Sequence, residues 1–235
     1  MSARRTLVLV PGLLCDETVW RPQVDALSDI ADVAVPVLSD RSSITEMAEG
    51  VLDAVDGAFA LAGHSLGGRI ALEAVRLAPE RIERLALLDT GVGARKPTEE
   101  ASRMALVALG HEKGMAAVAD AWLPPMVHEP LRADPVLMGA LRGMVERATP
   151  ESFERQQRAL LERPDALGVL PTIECPTLVL VGREDAWSPV AQHEALAANI
   201  KGARLVVVEG AGHMSTVEQP AAVSEALRAW LLDAA

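Results

Sequence analysis

The stretch AFALAGHSLGGRIALEAVRL, residues 58–77, decides the fold. Ala58 to Ala62 is continuously apolar, and Ile70 to Leu77 carries apolar residues at helical spacing. Between them Gly63-His64-Ser65-Leu66-Gly67 fits the pattern G-x-S-x-G. A strand passing into a helix through so short a link needs a sharp turn. Glycines two residues either side of Ser65 remove the side chains that would collide inside it. A serine at such a turn is held with its hydroxyl exposed, so Ser65 is the candidate nucleophile. A structural glycine-rich turn is the plain alternative.

Working outward, further strand runs occur at Leu7 to Val10, Val33 to Leu38, Leu85 to Leu88, Thr177 to Val181 and Leu205 to Val208. With Ala58 to Ala62 they make about six, and each is near-continuously apolar, as in a parallel sheet covered on both faces. Helical periods alternate with them. Ser43-Ile44-Thr45-Glu46 has capping-box spacing ahead of a helix to Val55. Ser188-Pro189 reads as a cap and first-turn proline for a helix to about Asn199, and Val217 to Leu232 reads as the closing helix. The expected class is α/β, a doubly wound, mostly parallel sheet. Residues 92–170 break the rhythm, with helical periods, no strand run and five methionines: Met104, Met115, Met126, Met138 and Met144. The expected division is a core of residues 1–91 and 171–235 with a helical cap of residues 92–170 inserted after the fourth strand. Methionine there is either core filler or an adaptable apolar pocket lining.

A serine nucleophile needs a base, and the base an orienting acid. His213 lies in Glu209-Gly210-Ala211-Gly212-His213 after the last strand, where open α/β sheets place catalytic loops. His64 sits inside the turn, and His111, His128 and His193 lie in helical surroundings, so His213 is the expected base. Asp185, in Val181-Gly182-Arg183-Glu184-Asp185, is the preferred acid. Asp89, after Leu85 to Leu88, is its rival, and Glu184 reads as a solvated charge.

The order Ser65, Asp185, His213 is the α/β-hydrolase order. With Gly63 to Gly68 and Gly212-His213, the chain resembles the α/β-hydrolase superfamily from Leu7 to Leu232. It is similar in particular to small cap-bearing serine esterases such as the pimeloyl-acyl-carrier-protein methyl ester esterases. That resemblance implies an α/β-hydrolase fold and an oxyanion hole formed by the backbone amides of Leu13 and Leu66. It departs from the pattern in three places. Pro11-Gly12 stands where His-Gly is usual, Ser39 to Ser43 replaces a glycine-rich loop, and the sequence opens at what would be the third strand. Ser-Leu-Gly-Gly-Arg also resembles a menaquinone-pathway lyase of the superfamily, in which basic residues bind an anionic substrate. Arg69 is thereby a candidate pocket residue, against a plain helix arginine. Trp20, Trp122 and Trp187 are candidates for the pocket lining, against apolar filler.

The expected function is hydrolysis of a small to medium carboxylic ester, largely apolar on its acyl side, through an acyl-enzyme. Thioester or carbon–carbon cleavage, lyase chemistry, and a non-catalytic ligand receptor are the alternatives. The expectation includes no cofactor and no metal, since no Cys/His cluster has ligand spacing. With 22 Lys+Arg against 33 Asp+Glu, the net charge of −11 argues against nucleic acid and anionic membranes as partners. The longest apolar run, Met104 to Leu109, is far short of the ~18 residues of a membrane helix. Arg4-Arg5 ahead of Thr6 to Cys15 faintly resembles an export signal, but Pro11-Gly12 interrupts it and Leu14 is too bulky for its cleavage site. The two cysteines, Cys15 and Cys175, make no disulfide framework, so a cytoplasmic protein is expected. Cys15 reads as a small buried hydrophobe rather than a reactive thiol.

Overall fold

The computed structural model describes residues 4–233. In chain order its strands are β1 (Arg5–Val10), β2 (Ala31–Ala34), β3 (Phe59–His64), β4 (Ile82–Leu88), β5 (Thr177–Gly182) and β6 (Arg204–Val208). The helices are α1 (Arg21–Leu27), α2 (Ile44–Asp53), α3 (Leu66–Leu77), α4 (Glu99–Lys113), α5 (Met115–Trp122), α6 (Pro135–Arg147), α7 (Pro150–Leu161), α8 (Val190–Ala198), α9 (Ser215–Glu218) and α10 (Pro220–Leu232).

The strands form one sheet in the order β2-β1-β3-β4-β5-β6, every neighbouring pair parallel. Every residue of β3 and β5 is buried, which is why those stretches read as unbroken apolar runs. From β1 the chain steps outward to β2 and then back past β1 to β3. Right-handed crossovers of opposite direction place α1 on one face of the sheet and α2 with α3 on the other. The direction reverses between β1 and β3, so their C-terminal ends flank a crevice where loops diverge. α3 buries Leu66, Ile70, Leu72 and Val75. Truncating one such leucine to alanine costs about 2–5 kcal/mol through lost transfer energy and the cavity left behind.

Residues 92–170 carry four α-helices and no strand. The prolines that punctuate this segment open helices rather than break them. Asp134 caps α6 by accepting from the Val136 and Leu137 amides, with Pro135 at its first position. Thr149 and Ser152 form a reciprocal capping box around Pro150 at the start of α7. Gly114, at φ 81°, divides α4 from α5.

Three sequence expectations need correction. The run Val33 to Leu38 stops pairing at Ala34, because Pro36 has no N–H for a ladder, and Val37 stands 84% exposed. The closing helix is split at Gln219, ahead of Pro220, into α9 and α10. Ser188 does not cap α8. Its amide donates to Asp185 Oδ1 at 2.9 Å, because the aspartate folds its own following backbone into a turn. Among the described residues no helix is long and apolar enough to cross a membrane.

Candidate active site

Ser65 follows β3 and caps α3, with φ 56° and ψ −113°. That conformation is tolerated because of its neighbours. A Cβ on Gly63 would overlap the Gly67 carbonyl, and one on Gly67 would overlap the Val10 carbonyl. The backbone is pinned on both sides. The Ser65 amide donates to the Leu88 carbonyl at 2.9 Å, and Thr90 Oγ1 donates to the Ser65 carbonyl at 2.7 Å.

His213 reaches Ser65 from the loop after β6, its Nε2 standing 2.8 Å from Ser65 Oγ. Its Nδ1 stands 2.8 Å from Asp185 Oδ2, in the loop after β5. Three residues far apart in sequence are thereby joined into one hydrogen-bonded relay. The other Asp185 oxygen accepts the amides of Trp187 and Ser188 at 2.8 and 2.9 Å. Burial alone would raise the Asp185 carboxyl, but His213 and these amides outweigh it and hold it below the ordinary carboxylate range. Burial likewise works against a charged His213, and the Asp185 carboxylate overcomes it, so the imidazole lies above its usual range.

Asp89, the rival acid, makes no bond to His213. It lies fully buried at φ 47°, accepting from the Gly182 amide at 2.9 Å and from the Ser215 hydroxyl. Burial, then the nearby Asp185 charge, drives its carboxyl well above the ordinary value. It braces the β4, β5 and α9 ends against one another. His64 points inward, with Nε2 2.7 Å from the His213 carbonyl, and burial lowers it to about 4, so it stays a neutral brace. Glu184 is exposed, as expected, and also accepts the Ala211 amide at 3.0 Å.

Sequence reasoning missed Glu218. Its carboxylate accepts the amides of His128, Gly212 and Met214 at 2.7, 3.0 and 2.9 Å, tying the His213 loop to the helical segment. No side-chain pattern marks it, because two of its partners are backbone amides of the loop before α9 and the third is a backbone amide 90 residues away.

A cavity of about 350 Å³ opens over Ser65 and His213. Leu13, Leu66, Trp122, Trp187 and Arg69 line it. The Leu66 amide, first in α3, has no acceptor within its helix. Trp20 does not line the cavity: it is fully buried, its ring set edge-on to His64 at 6.4 Å between centroids. The segment's lining is mixed rather than wholly apolar. Leu106, Trp122, Met126 and Leu160 line the cavity, Met126 alone of the five methionines, while Met115 and Met144 are buried away from it. Lys96, Glu99, Arg103 and Arg163 share the same wall.

These charges do not balance. Glu99 is held in a two-point pair by Arg163 at 2.8 and 2.9 Å, and it also accepts from Arg103 Nε at 3.4 Å. Burial works against the Glu99 carboxylate, yet the Arg163 fork brings it down to about 2. Arg69 Nη1 donates only to the Gly93 carbonyl, at 3.0 Å. Burial, then the neighbouring Arg163 charge, lowers its guanidinium to about 9, still charged at neutral pH. Arg163 and Arg103 thus share Glu99, while Arg69 faces the same cavity with no carboxylate bonded to it, inside a protein of net charge −11. Cys15 lines a separate cavity, and burial followed by Asp16 raises its thiol to about 12, away from thiolate chemistry. Among the described residues no group of three or more His, Cys, Asp or Glu side chains is placed to hold a metal ion.

Residues 7–226 match the sequence profile described as the alpha/beta hydrolase family. A pimeloyl-[acyl-carrier protein] methyl ester esterase of Neisseria meningitidis is 28% identical over 205 residues, covering 82% of this chain and 78% of the relative. A thermophilic esterase from Thermogutta terrifontis, solved with malate bound, superposes with a TM-score of 0.88 at 30% identity, covering 97% of this chain and 90% of the other. The enol-lactonase of Burkholderia xenovorans superposes with a TM-score of 0.89 at 26% identity, covering 99% and 93%.

Proposed function

The chain belongs to the alpha/beta hydrolase family, and from that premise we propose that it hydrolyses a compact carboxylic ester carrying an anionic group, by way of an acyl group on Ser65. The observation that carries the reading is the relay itself, with Ser65 Oγ and Asp185 Oδ2 each 2.8 Å from His213. His213 Nε2 takes the Ser65 proton as Oγ attacks the ester carbonyl, and Asp185 keeps the other nitrogen protonated and stabilises the imidazolium. The amides of Leu13 and Leu66 hold the carbonyl oxygen as it becomes an oxyanion. The imidazolium then protonates the departing alcohol. Water, deprotonated by the same nitrogen, releases the acid and restores Ser65. Residues 92–170 act as a cap, closing the far side of the cavity.

The anionic group is inferred from Arg69, Arg103 and Arg163, of which Glu99 pairs with only the last two. A guanidinium fork matches a carboxylate at two points, and part-burial keeps that pairing from being screened away. The malate named with the thermophilic esterase is itself a dicarboxylate, in keeping with such a pocket. Monomethyl esters of succinate, glutarate and adipate, set against their dimethyl esters, test this. The monoanion should be preferred in kcat/KM by about tenfold to a hundredfold, and Arg69→Met should lower that ratio. Equal or better turnover of the neutral diesters would refute the anionic part and leave ester hydrolysis standing.

The base must be neutral to accept a proton, so kcat/KM should rise with pH as His213 loses its own. Because Asp185 raises His213, the midpoint of that rise should lie above the ordinary ~6.5. A pH–rate profile with its midpoint below about 6 would contradict the relay. The arginine cluster also supports a second reading, in which Ser65 and His213 abstract a proton from an anionic substrate as a lyase. No acyl group would then stand on Ser65.

A further inference from the structure

His213 has a rigid peptide plane on either side. The two planes meet at its Cα, so together they set the direction in which the imidazole leaves the backbone. The plane before it carries the His213 N–H, which donates to the Met126 carbonyl at 2.9 Å. The plane after it carries the His213 carbonyl and the Met214 N–H. That carbonyl accepts from His64 Nε2 at 2.7 Å, and that N–H donates to Glu218 Oε1 at 2.9 Å. Both planes are therefore held, the first by the helical segment and the second by Glu218 with His64.

The second Glu218 oxygen draws the same two parts of the chain together. Oε2 accepts the Gly212 amide at 3.0 Å and the His128 amide at 2.7 Å, so one carboxylate grips the loop on both sides of His213 and the segment at residue 128. The approach is close. A Cβ on Gly212 would stand 2.8 Å from the His128 nitrogen and 2.9 Å from the Met126 carbonyl oxygen. Glu218 is buried, and three N–H donors around its two oxygens call for the ionised form. Burial raises its carboxyl, and the three amides counter that in part. We propose that Glu218 is a positioning residue: by fixing the peptide that follows His213 and pinning the loop to residues 126–128, it holds the base in line with Ser65 and makes the helical segment part of that support. This rests on reading His213 as the base. It goes beyond that reading by giving the segment a part in the placement of the base. Glu218 touches no reacting atom.

Two variants separate this role from ordinary packing. Glu218→Met removes all three acceptor bonds at nearly the same volume, whereas Glu218→Gln exchanges one acceptor oxygen for an NH2 and removes the charge. On a methyl ester that the wild type hydrolyses, Glu218→Met should lower kcat about a hundredfold with KM within about threefold, the cost of a group misplaced by about 1 Å. Glu218→Gln should lose less, and the pH midpoint of its kcat/KM should fall. Asp185, Asp89 and Glu218 are the carboxyl groups that raise His213, His64 beside it is neutral, and His128 stands next to Glu218. With one carboxylate gone, the imidazole gives up its proton at lower pH. A crystal structure of Glu218→Met should show His213 Nε2 more than about 3.5 Å from Ser65 Oγ. An unmoved His213 there would overturn the proposal whether or not any ester is turned over. So would wild-type kcat in folded Glu218→Met, or a Glu218→Gln protein in which only the melting temperature changes. If Glu218→Met does not fold, the kcat and pH midpoint of Glu218→Gln decide alone. If the wild type hydrolyses no ester, the hydrolase reading fails by itself and the place of His213 in the variant structures still decides the role of Glu218.

Discussion

Ser65→Ala should lower ester turnover by about 10⁴-fold or more while the protein folds normally. The loss is large because no other group can take the place of Ser65 Oγ. Thr90 Oγ1 is committed to the Ser65 carbonyl, and burial holds the Cys15 thiol at about 12 in a different cavity. Without Oγ, His213 can still activate water beside the oxyanion amides. That route leaves only the residual catalysis expected when positioning and charge stabilisation survive alone. The fold should survive because alanine keeps the Cβ. The strain of the φ 56° backbone is carried by the Gly63 and Gly67 contacts rather than by the hydroxyl. Turnover assays on monomethyl dicarboxylates beside thermal melts check both halves. Activity near wild type in Ser65→Ala would remove Ser65 from the mechanism.

Asp185→Asn should cost about 10³- to 10⁴-fold in kcat, by way of the imidazole tautomer. The carboxylate accepts from His213 Nδ1, which leaves Nε2 free to accept the Ser65 proton. An asparagine held by the Trp187 and Ser188 amides can turn its NH2 toward Nδ1. The proton then moves to Nε2, which faces the serine as a donor and cannot act as base. Asp89→Asn is the matched control. Asp89 is buried beside the relay but accepts from Gly182 and Ser215 rather than from His213. An asparagine oxygen can take over the Gly182 bond, so a loss within about tenfold is expected. A larger loss in Asp89→Asn than in Asp185→Asn would reverse the assignment of the acid.

The fold and the relay were legible because they are written locally. A strand, a sharp turn and a helix lie together in residues 58–77, and His213 and Asp185 each follow a buried strand directly. Asp185 could be preferred over Asp89 from loop position alone. What favours Asp185 further is its 2.8 Å bond to His213, which depends on how two loops lean together. The cavity wall was only partly legible. Leu106, Trp122, Met126 and Leu160 supply the apolar lining that the segment suggested, but a helix's inward residues need not be those that face the cavity. Met115 and Met144 are buried away from it, and Arg103 and Arg163 share its wall. Glu99 and Arg103 stand one helical turn apart and form an (i, i+4) pair, a signal the sequence does carry. That Arg163 meets the same carboxylate from 64 residues away has no local trace. Glu218 was invisible for the same reason, since it binds backbone amides and these leave no mark in a sequence.

The most direct measurement is the state of Ser65 during turnover. The protein should be mixed with an excess of a monomethyl dicarboxylate, quenched in acid within the first turnover, digested, and read by peptide mass spectrometry. The peptide carrying Ser65 should gain the mass of the acyl group, on Ser65 alone, and a fluorophosphonate should modify the same residue and block the gain. Released acid with Ser65 unmodified, and a fluorophosphonate that leaves Ser65 untouched, would contradict the serine mechanism.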